Sequence, residues 1–217
     1  MRTAENYKKL SKEEFSRAAD RYESDSAGVY RICRNDYPYI LKEIRQLNFN
    51  TLLDAGCGTA PMLSLLTRVY PDKKFTGLDI TPGMIERAEE KQLENTRFCT
   101  GDCEEMPFRD NTFDIIICSQ CLHHLPQPQR FFNEAKRTLR PGGHLILRDM
   151  SAPKPIAWLV NKIEMPMLNL LGYGDVAIRT KDEVEAYCYE AGLNVEKLER
   201  QRNMRIHLLA SKPNTKA

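Results

Sequence analysis

The run Thr51-Leu52-Leu53-Asp54-Ala55-Gly56-Cys57-Gly58-Thr59-Ala60-Pro61 reads as a buried strand, a tight turn and the first residues of a helix. Its start is short and largely apolar, and it closes on a carboxylate followed by a glycine-rich turn. Behind it, Met62, Leu65, Leu66 and Val69 keep a helical repeat. In a strand-turn-helix unit of this kind the glycines let the backbone approach a ligand at the carboxyl end of the strand. The details of the turn therefore bear on which ligand.

A dinucleotide fingerprint, Gly-x-Gly-x-x-Gly, seats a pyrophosphate at the helix N-terminus. Gly56 and Gly58 fit it, but Pro61 stands where the third glycine belongs. Asp54, just before the turn, would repel a diphosphate and attract an ammonium group. A second acid ends the next strand: Lys74-Phe75-Thr76-Gly77-Leu78-Asp79 reads as strand two, and Thr81-Pro82-Gly83-Met84 opens another helix. Asp79 lies about 20 residues beyond the turn, where an acid grips ribose hydroxyls. That position alone suits NAD or any ribose-bearing ligand.

With these residues in view, the segment resembles motif I of the class I S-adenosylmethionine-dependent methyltransferases. The nearest pattern is the small-molecule group that includes ubiquinone- and menaquinone-biosynthesis enzymes. Gly101-Asp102-Cys103-Glu104-Glu105-Met106-Pro107-Phe108 resembles the adenine-contacting turn after strand three. Phe113 to Ser119 resembles strand four, and Arg137 to Leu147, through Pro141-Gly142-Gly143, resembles the helix, turn and strand that follow. One departure is Ala60, where the family commonly has glycine. It adds a single methyl, and the turn is expected to tolerate it.

The resemblance implies a Rossmann-like α/β fold. Its seven-stranded, mostly parallel sheet has helices on both faces and the order 3-2-1-4-5-7-6, with strand 7 antiparallel. It implies S-adenosyl-L-methionine as cofactor and direct methyl transfer to a small-molecule acceptor. Gly56, Cys57 and Gly58 would admit the cofactor beside the backbone, and Asp54 would face its ammonium. Asp79 would bind the ribose, and Ile80 and Met84 would pack the adenine. Asp102 and the backbone N–H of Cys103 would meet the adenine edge, and Ser119 the methionine moiety. Tyr22, in the N-terminal helical segment, would line the pocket. Each acid has an ordinary alternative as a turn or helix-cap residue. His123 and His124 follow strand four, where an acceptor enters, and either could take a proton. Their ordinary alternative is packing. An Asn/Asp-Pro-Pro-Tyr/Phe motif for adenine or amide nitrogen is absent from Ser119-Gln120-Cys121-Leu122. Two rivals remain, an NAD-dependent oxidoreductase and a non-catalytic cofactor-binding protein. Pro61 and Asp54 argue against the first.

Composition narrows the classes. The chain has 217 residues, 32 basic and 30 acidic, for a net charge of +2. That balance makes no electrostatic case for a nucleic-acid partner. No apolar stretch is long enough to span a bilayer, and Met1 to Lys9 lacks the apolar core of a signal peptide. A cytoplasmic protein is expected. The seven cysteines read as small buried hydrophobes of a reducing compartment. Cys118-Ser119-Gln120-Cys121 with His123 and His124 has the look of a zinc motif, but no second CxxC follows, so no metal is expected.

One domain over 1–217 is expected. Its parts are an N-terminal helical cap (1–47), a cofactor-binding core (48–150), a substrate-side insertion (151–179) and a C-terminal helix and hairpin (180–217). Alternating elements place strands near 51–55, 74–79, 96–100, 113–118 and 144–149, and helices near 60–70, 82–92 and 128–139. In the insertion, Ile156, Leu159, Val160 and Ile163 form an apolar helical stripe that Pro166 interrupts. It reads either as a lid over a lipophilic acceptor or as a packing or homodimer surface. Val184, Tyr187, Cys188 and Ala191 repeat helically before Gly192, and 194–201 and 204–210 read as two strands.

Overall fold

The computed structural model describes residues 2–24, 31, 33–201 and 203–214. The described residues form a seven-stranded sheet in the order β3-β2-β1-β4-β5-β7-β6. The strands are β1 (Thr51–Ala55), β2 (Lys74–Asp79), β3 (Thr96–Thr100), β4 (Phe113–Ser119), β5 (Leu139–Met150), β6 (Asn194–Gln201) and β7 (Arg205–Ser211). The first five pair in parallel, and β7 runs antiparallel between β5 and β6. This is the architecture the family resemblance implied. The registers Ala55 to Leu78 and Asp79 to Thr100 bring the carboxyl ends of β1, β2 and β3 to one edge. Asp114 holds the opposite end of β1 by accepting from the backbone N–H groups of Asn50 and Thr51 at 2.8 and 2.9 Å.

The period of two along each strand divides the core into two layers. Leu52, Ile115, Ile117 and Ile146 face one side, with α2 (Tyr37–Ile44), α3 (Pro61–Val69) and α4 (Pro82–Glu89). Leu53, Ile116, Cys118, Leu145 and Leu147 face the other, with α5 (Pro128–Thr138) and α8 (Lys181–Ala191). Each layer is closed by fully buried aliphatic and aromatic side chains, which supply most of the folding free energy. α8 starts on a capping box between Thr180 and Glu183, and ends on Gly192 in the left-handed region at φ 73°.

Two local expectations change, and one is met at a backbone cost. Pro141-Gly142-Gly143 ends no turn between a helix and a separate strand. α5 stops at Thr138 and β5 begins at Leu139, pairing with Phe113 before a bulge carries the register to Ile115 opposite His144. Gly142 adopts φ 76°, which absorbs the extra residues. Pro166 does not interrupt the insertion helix. α6 (Lys154–Leu159) passes through a widened π turn, Val160–Glu164, into α7 (Met165–Leu170). Proline lacks the N–H that an α-helical turn would use, and the wider turn accommodates it. Ala60 takes φ 61° and ψ 41°. The methyl is therefore accommodated in a left-handed conformation that costs an L-residue roughly 1 kcal/mol.

Before the sheet lies α1 (Ala4–Ala18), opened by a capping box at Thr3 and followed by a 3-10 turn, Ala19–Arg21. The polar run from Tyr22 to Gly28 reads in sequence as a connection between helical stretches, and its residues 25–28 lie outside the described residues. α1 packs on α4 and on the loop after α7. Gly174 makes that approach feasible, because a Cβ there would lie 2.5 Å from the Ser11 backbone.

Candidate active site

The strand tips and α1 enclose a cleft of about 680 Å³, open solvent included. Its floor is the glycine turn and the β2 tip. Gly56, Gly58, Asp79, Ile80 and Met84 line it there. Gly56 has φ 81°, and a Cβ on it would come within 2.5 Å of Cys121 Sγ. No other residue fits that position without displacing its neighbour. The N–H groups of Gly56 and Cys57 both donate to Leu78 O, at 2.8 and 3.0 Å, which binds the turn to β2.

Asp79 is held by two backbone donors. Gly58 N–H reaches Oδ2 and Thr81 N–H reaches Oδ1, both at 2.9 Å. Burial pushes its pKa up to about 6, against the lowering pull of those donors. Asp54, 3% exposed, stands at the end of β1 without itself lining the cleft. Burial and the nearby Cys121 and Asp79 raise it to about 8. Two acids withdrawn from water in this way favour a ligand that brings positive charge or hydroxyl donors.

The β3 and β4 tips add Asp102, Cys103 and Ser119. Asp102 already has partners: Glu104 N–H at 2.8 Å on Oδ1 and Lys8 Nζ at 2.6 Å on Oδ2. Lys8 also reaches Glu104 Oε2 at 2.5 Å. Its burial works to lower the ammonium pKa, but the two carboxylates outweigh it and the pKa rises. Ser119 Oγ is buried and unpartnered among the described residues. An unpaired hydroxyl at the cleft wall is the kind of group a ligand satisfies.

The remaining wall comes from distant parts of the chain. Ser11, Phe15 and Tyr22 arrive from the N-terminal segment, and Gln120, Cys121, His124 and Leu125 from the segment after β4. Phe15 meets the His124 ring edge-on at 5.0 Å. The loop after α7 holds α1 in place. Ser11 Oγ donates to Gly174 O at 3.2 Å, Gly174 N–H donates to Glu14 Oε2 at 2.6 Å, and Arg17 donates to Gly172 O at 3.1 Å.

His123 and His124 have different surroundings. His123 is outside the lining and buried, with Nδ1 at 2.6 Å from Asp149 Oδ1 and Nε2 at 3.5 Å from Asp175 Oδ1. Burial would lower its pKa, but the Asp149 charge and hydrogen bond raise it to about 9. His124 lines the cleft, and burial together with the neighbouring His123 charge lowers it to about 4.

Of the residues singled out by sequence, the cleft gathers Tyr22, Gly56, Gly58, Asp79, Ile80, Met84, Asp102, Cys103, Ser119 and His124. Asp54, Cys57 and His123 lie outside its lining. Sequence reasoning missed Lys8, Ser11, Phe15, Gln120, Cys121 and Leu125 at the wall. Asp149 and Asp175 beside the histidines were missed too. Only Cys121 had a local signal, its nearness to His123 and His124 in the chain.

Residues 53–147 match the family described as the methyltransferase domain. That stretch is similar to a methyltransferase domain. A 27-O-demethylrifamycin SV methyltransferase from Amycolatopsis mediterranei is 33% identical over 155 residues, covering 68% of this chain and 55% of that protein. A demethylmenaquinone methyltransferase from Staphylococcus aureus is 30% identical over 154 residues, covering 67% of this chain and 62% of that protein. The chain spans about half the length of the curated relatives it matches. A solved SAM-dependent methyltransferase from Aquifex aeolicus superposes with a TM-score of 0.63 at 23% identity, over 82% of this chain and 89% of that one. At that identity the likeness speaks for the fold.

Proposed function

We propose that the protein is an S-adenosylmethionine-dependent methyltransferase that transfers a methyl group to a small-molecule acceptor by direct displacement. The observation that carries this reading is Asp79, locked by Gly58 and Thr81 N–H at the tip of β2 and facing the cleft. Held in this way, its remaining lone pairs are aimed and available to a diol. Ser119 Oγ, buried and unpartnered among the described residues, suits the amino-acid end of the same ligand. The bound cofactor supplies an already activated methyl on a sulfonium.

The chain's own residues then bind and align. Gly56 and Gly58 admit the ligand next to the backbone, with Cys57 supporting the turn. Ile80 and Met84 pack a flat base. Asp102 and Cys103 N–H meet its edge, with Lys8 sharing the Asp102 carboxylate. Asp54 balances the ammonium from behind the lining. Tyr22, Phe15 and Leu125 exclude water, so that nucleophile, methyl carbon and sulfur stay in line. His124 is our choice for the side chain that meets the acceptor, because it lines the cleft. His123, held by Asp149, packs its ring against that of His124 at 4.1 Å between centroids.

The single-domain division made above belongs to this reading. The near balance of 32 basic and 30 acidic residues supports a small molecule over a nucleic acid. Seven free cysteines suit a reducing cytoplasm, and no described helix is long and apolar enough to cross a membrane. Exposed Ile156, Leu159, Ile163, Met167 and Leu170 leave a face on which a second copy could pack.

Calorimetric titration of the chain with S-adenosylhomocysteine and with NAD tests the binding half of the reading. Methyl transfer from labelled S-adenosylmethionine to a panel of phenols, quinols and sugars tests the rest. Binding of NAD with no response to S-adenosylhomocysteine would overturn it.

A further inference from the structure

We propose that His123, His124 and Asp175 hold a divalent transition-metal ion at the acceptor end of the cleft. Their donor atoms all lie within 4.8 Å of one another. Zinc binds imidazole nitrogen and carboxylate oxygen at about 2.0–2.2 Å. Two such bonds at a tetrahedral angle separate their donors by roughly 3.4 Å. His123 Nε2 and Asp175 Oδ1 stand 3.5 Å apart. That spacing is long for a hydrogen bond and right for two ligands of one ion. The third donor, on His124, stands within 4.8 Å of the other two, and the His123 and His124 rings are 4.1 Å apart between centroids, tilted by 41°.

Supporting groups surround the three donors. Metal-bound histidines commonly donate their other ring N–H to a carboxylate, which fixes tautomer and orientation. His123 does this with Asp149 at 2.6 Å. Asp149 is itself fixed by Leu122 N–H at 2.7 Å and Met150 N–H at 2.6 Å. The backbone N–H groups of Val176 and Ala177 donate to His123 O, which ties the Asp175 loop to the histidine. Two carboxylates, Asp149 and Asp175, match the charge of a dication in a buried place. An ion chain of Asp149, His123 and Asp175 alone leaves His124 Nδ1 buried and without a partner among the described residues. A metal ligand set gives that ring a role.

Two nitrogens and one oxygen are the donor set of a borderline ion such as zinc, and three protein ligands leave a position open. His124 lines the cleft, so an ion it held would stand at the cleft wall. There the ion would bind an acceptor oxygen and lower its proton affinity before methyl transfer. That role rests on the methyltransferase reading. The binding of the ion does not, and can fail or succeed separately from it.

The test uses the full chain stripped with chelator and titrated with Zn²⁺ and Co²⁺, following bound metal by dialysis and Co²⁺ by visible absorption. One tight equivalent is expected, with d–d bands of a nitrogen and oxygen site and no thiolate charge-transfer band. Asp175→Asn should weaken Zn²⁺ at least tenfold while circular dichroism and thermal midpoint stay near those of the parent. Asp149→Asn should weaken it about 10–100-fold, the usual cost of losing an outer-shell carboxylate. Cys121→Ser should leave it unchanged. Absence of bound metal in the folded parent, a thiolate band, or unaltered affinity in Asp175→Asn overturns the proposal.

Discussion

The two halves of the cleft are each closed by a glycine, and the two glycines teach different things. Gly56 sits in a turn between adjacent elements, and the atoms that forbid its replacement belong to Cys121 across the parallel sheet. Gly174 sits in an irregular loop, and a Cβ on it would meet the Oγ and backbone atoms of Ser11 in α1. The strand-tip half is thus built from consecutive β-α units and stands on the sheet. The α1 half is assembled by a helix and a loop that meet only in the folded chain. The first should behave as a rigid seat for the cofactor, the second as a wall that shapes the acceptor.

The largest break in that contrast comes from Gly56→Ala. A positive φ costs about 1–3 kcal/mol for a side-chain-bearing residue, and overpacking adds a similar amount. S-adenosylhomocysteine affinity should fall by roughly 100-fold or more. In the double variant with Cys121→Ala, a calorimetric cycle should recover part of the loss, because the clash term is shared.

Asp79→Ala comes next. It should cost about 1–3 kcal/mol in S-adenosylhomocysteine affinity, the scale of hydrogen bonds to a charged group. Urea denaturation should also show lower stability, because Gly58 and Thr81 N–H lose their acceptor. Unchanged affinity would remove Asp79 from the ribose site.

Gly174→Ala acts on the other half. Its Cβ would press on Ser11 and displace α1. Acceptor KM should rise roughly tenfold, as for an overpacked contact. S-adenosylhomocysteine affinity should change far less, since the strand-tip seat stands on the sheet. Equal losses in both would mean that the two halves are one unit.

The smallest effect is with pH. Asp54 near 8 and Asp79 near 6 hold protons in the free protein that the unfolded chain would release near pH 4. The native state therefore binds more protons across that window, and stability of the free protein should fall as pH rises through it. A cationic ligand favours the ionised acids. Calorimetry of S-adenosylmethionine in buffers of different ionisation enthalpy should show proton release near pH 7 and affinity rising from pH 6 to 8. Asp54→Asn should reduce both.

The strand-tip half was legible because its chemistry is local. Strand, turn and helix follow one another from Thr51 to Val69, and their periodicity and glycine spacing are properties of neighbours in the chain. The ordered recurrence of that unit carried β1 to β4 with little error. The Pro141-Gly142-Gly143 bulge was less legible, since a turn and a bulge use the same residues and differ only in which strand lies alongside. Ala60 was read as harmless for its size, whereas its cost lies in a backbone angle. Lys8 and Asp175 carried no signal at all. A lysine on a polar helix is ordinary until Asp102 and Glu104 stand beside it, 94 residues away in the first case.

By itself the amino-acid order determined the parallel sheet, the ligand-bearing edge and the acids at the strand tips. These depend on alternation and spacing within a few tens of residues. Tertiary structure alone decided which histidine reaches the cleft and which is clasped by Asp149 and Asp175. It also decided which face of α1 closes the wall. The reason is physical: burial and charge pairing are set by groups that chain folding brings together from far apart, and no local pattern encodes their meeting.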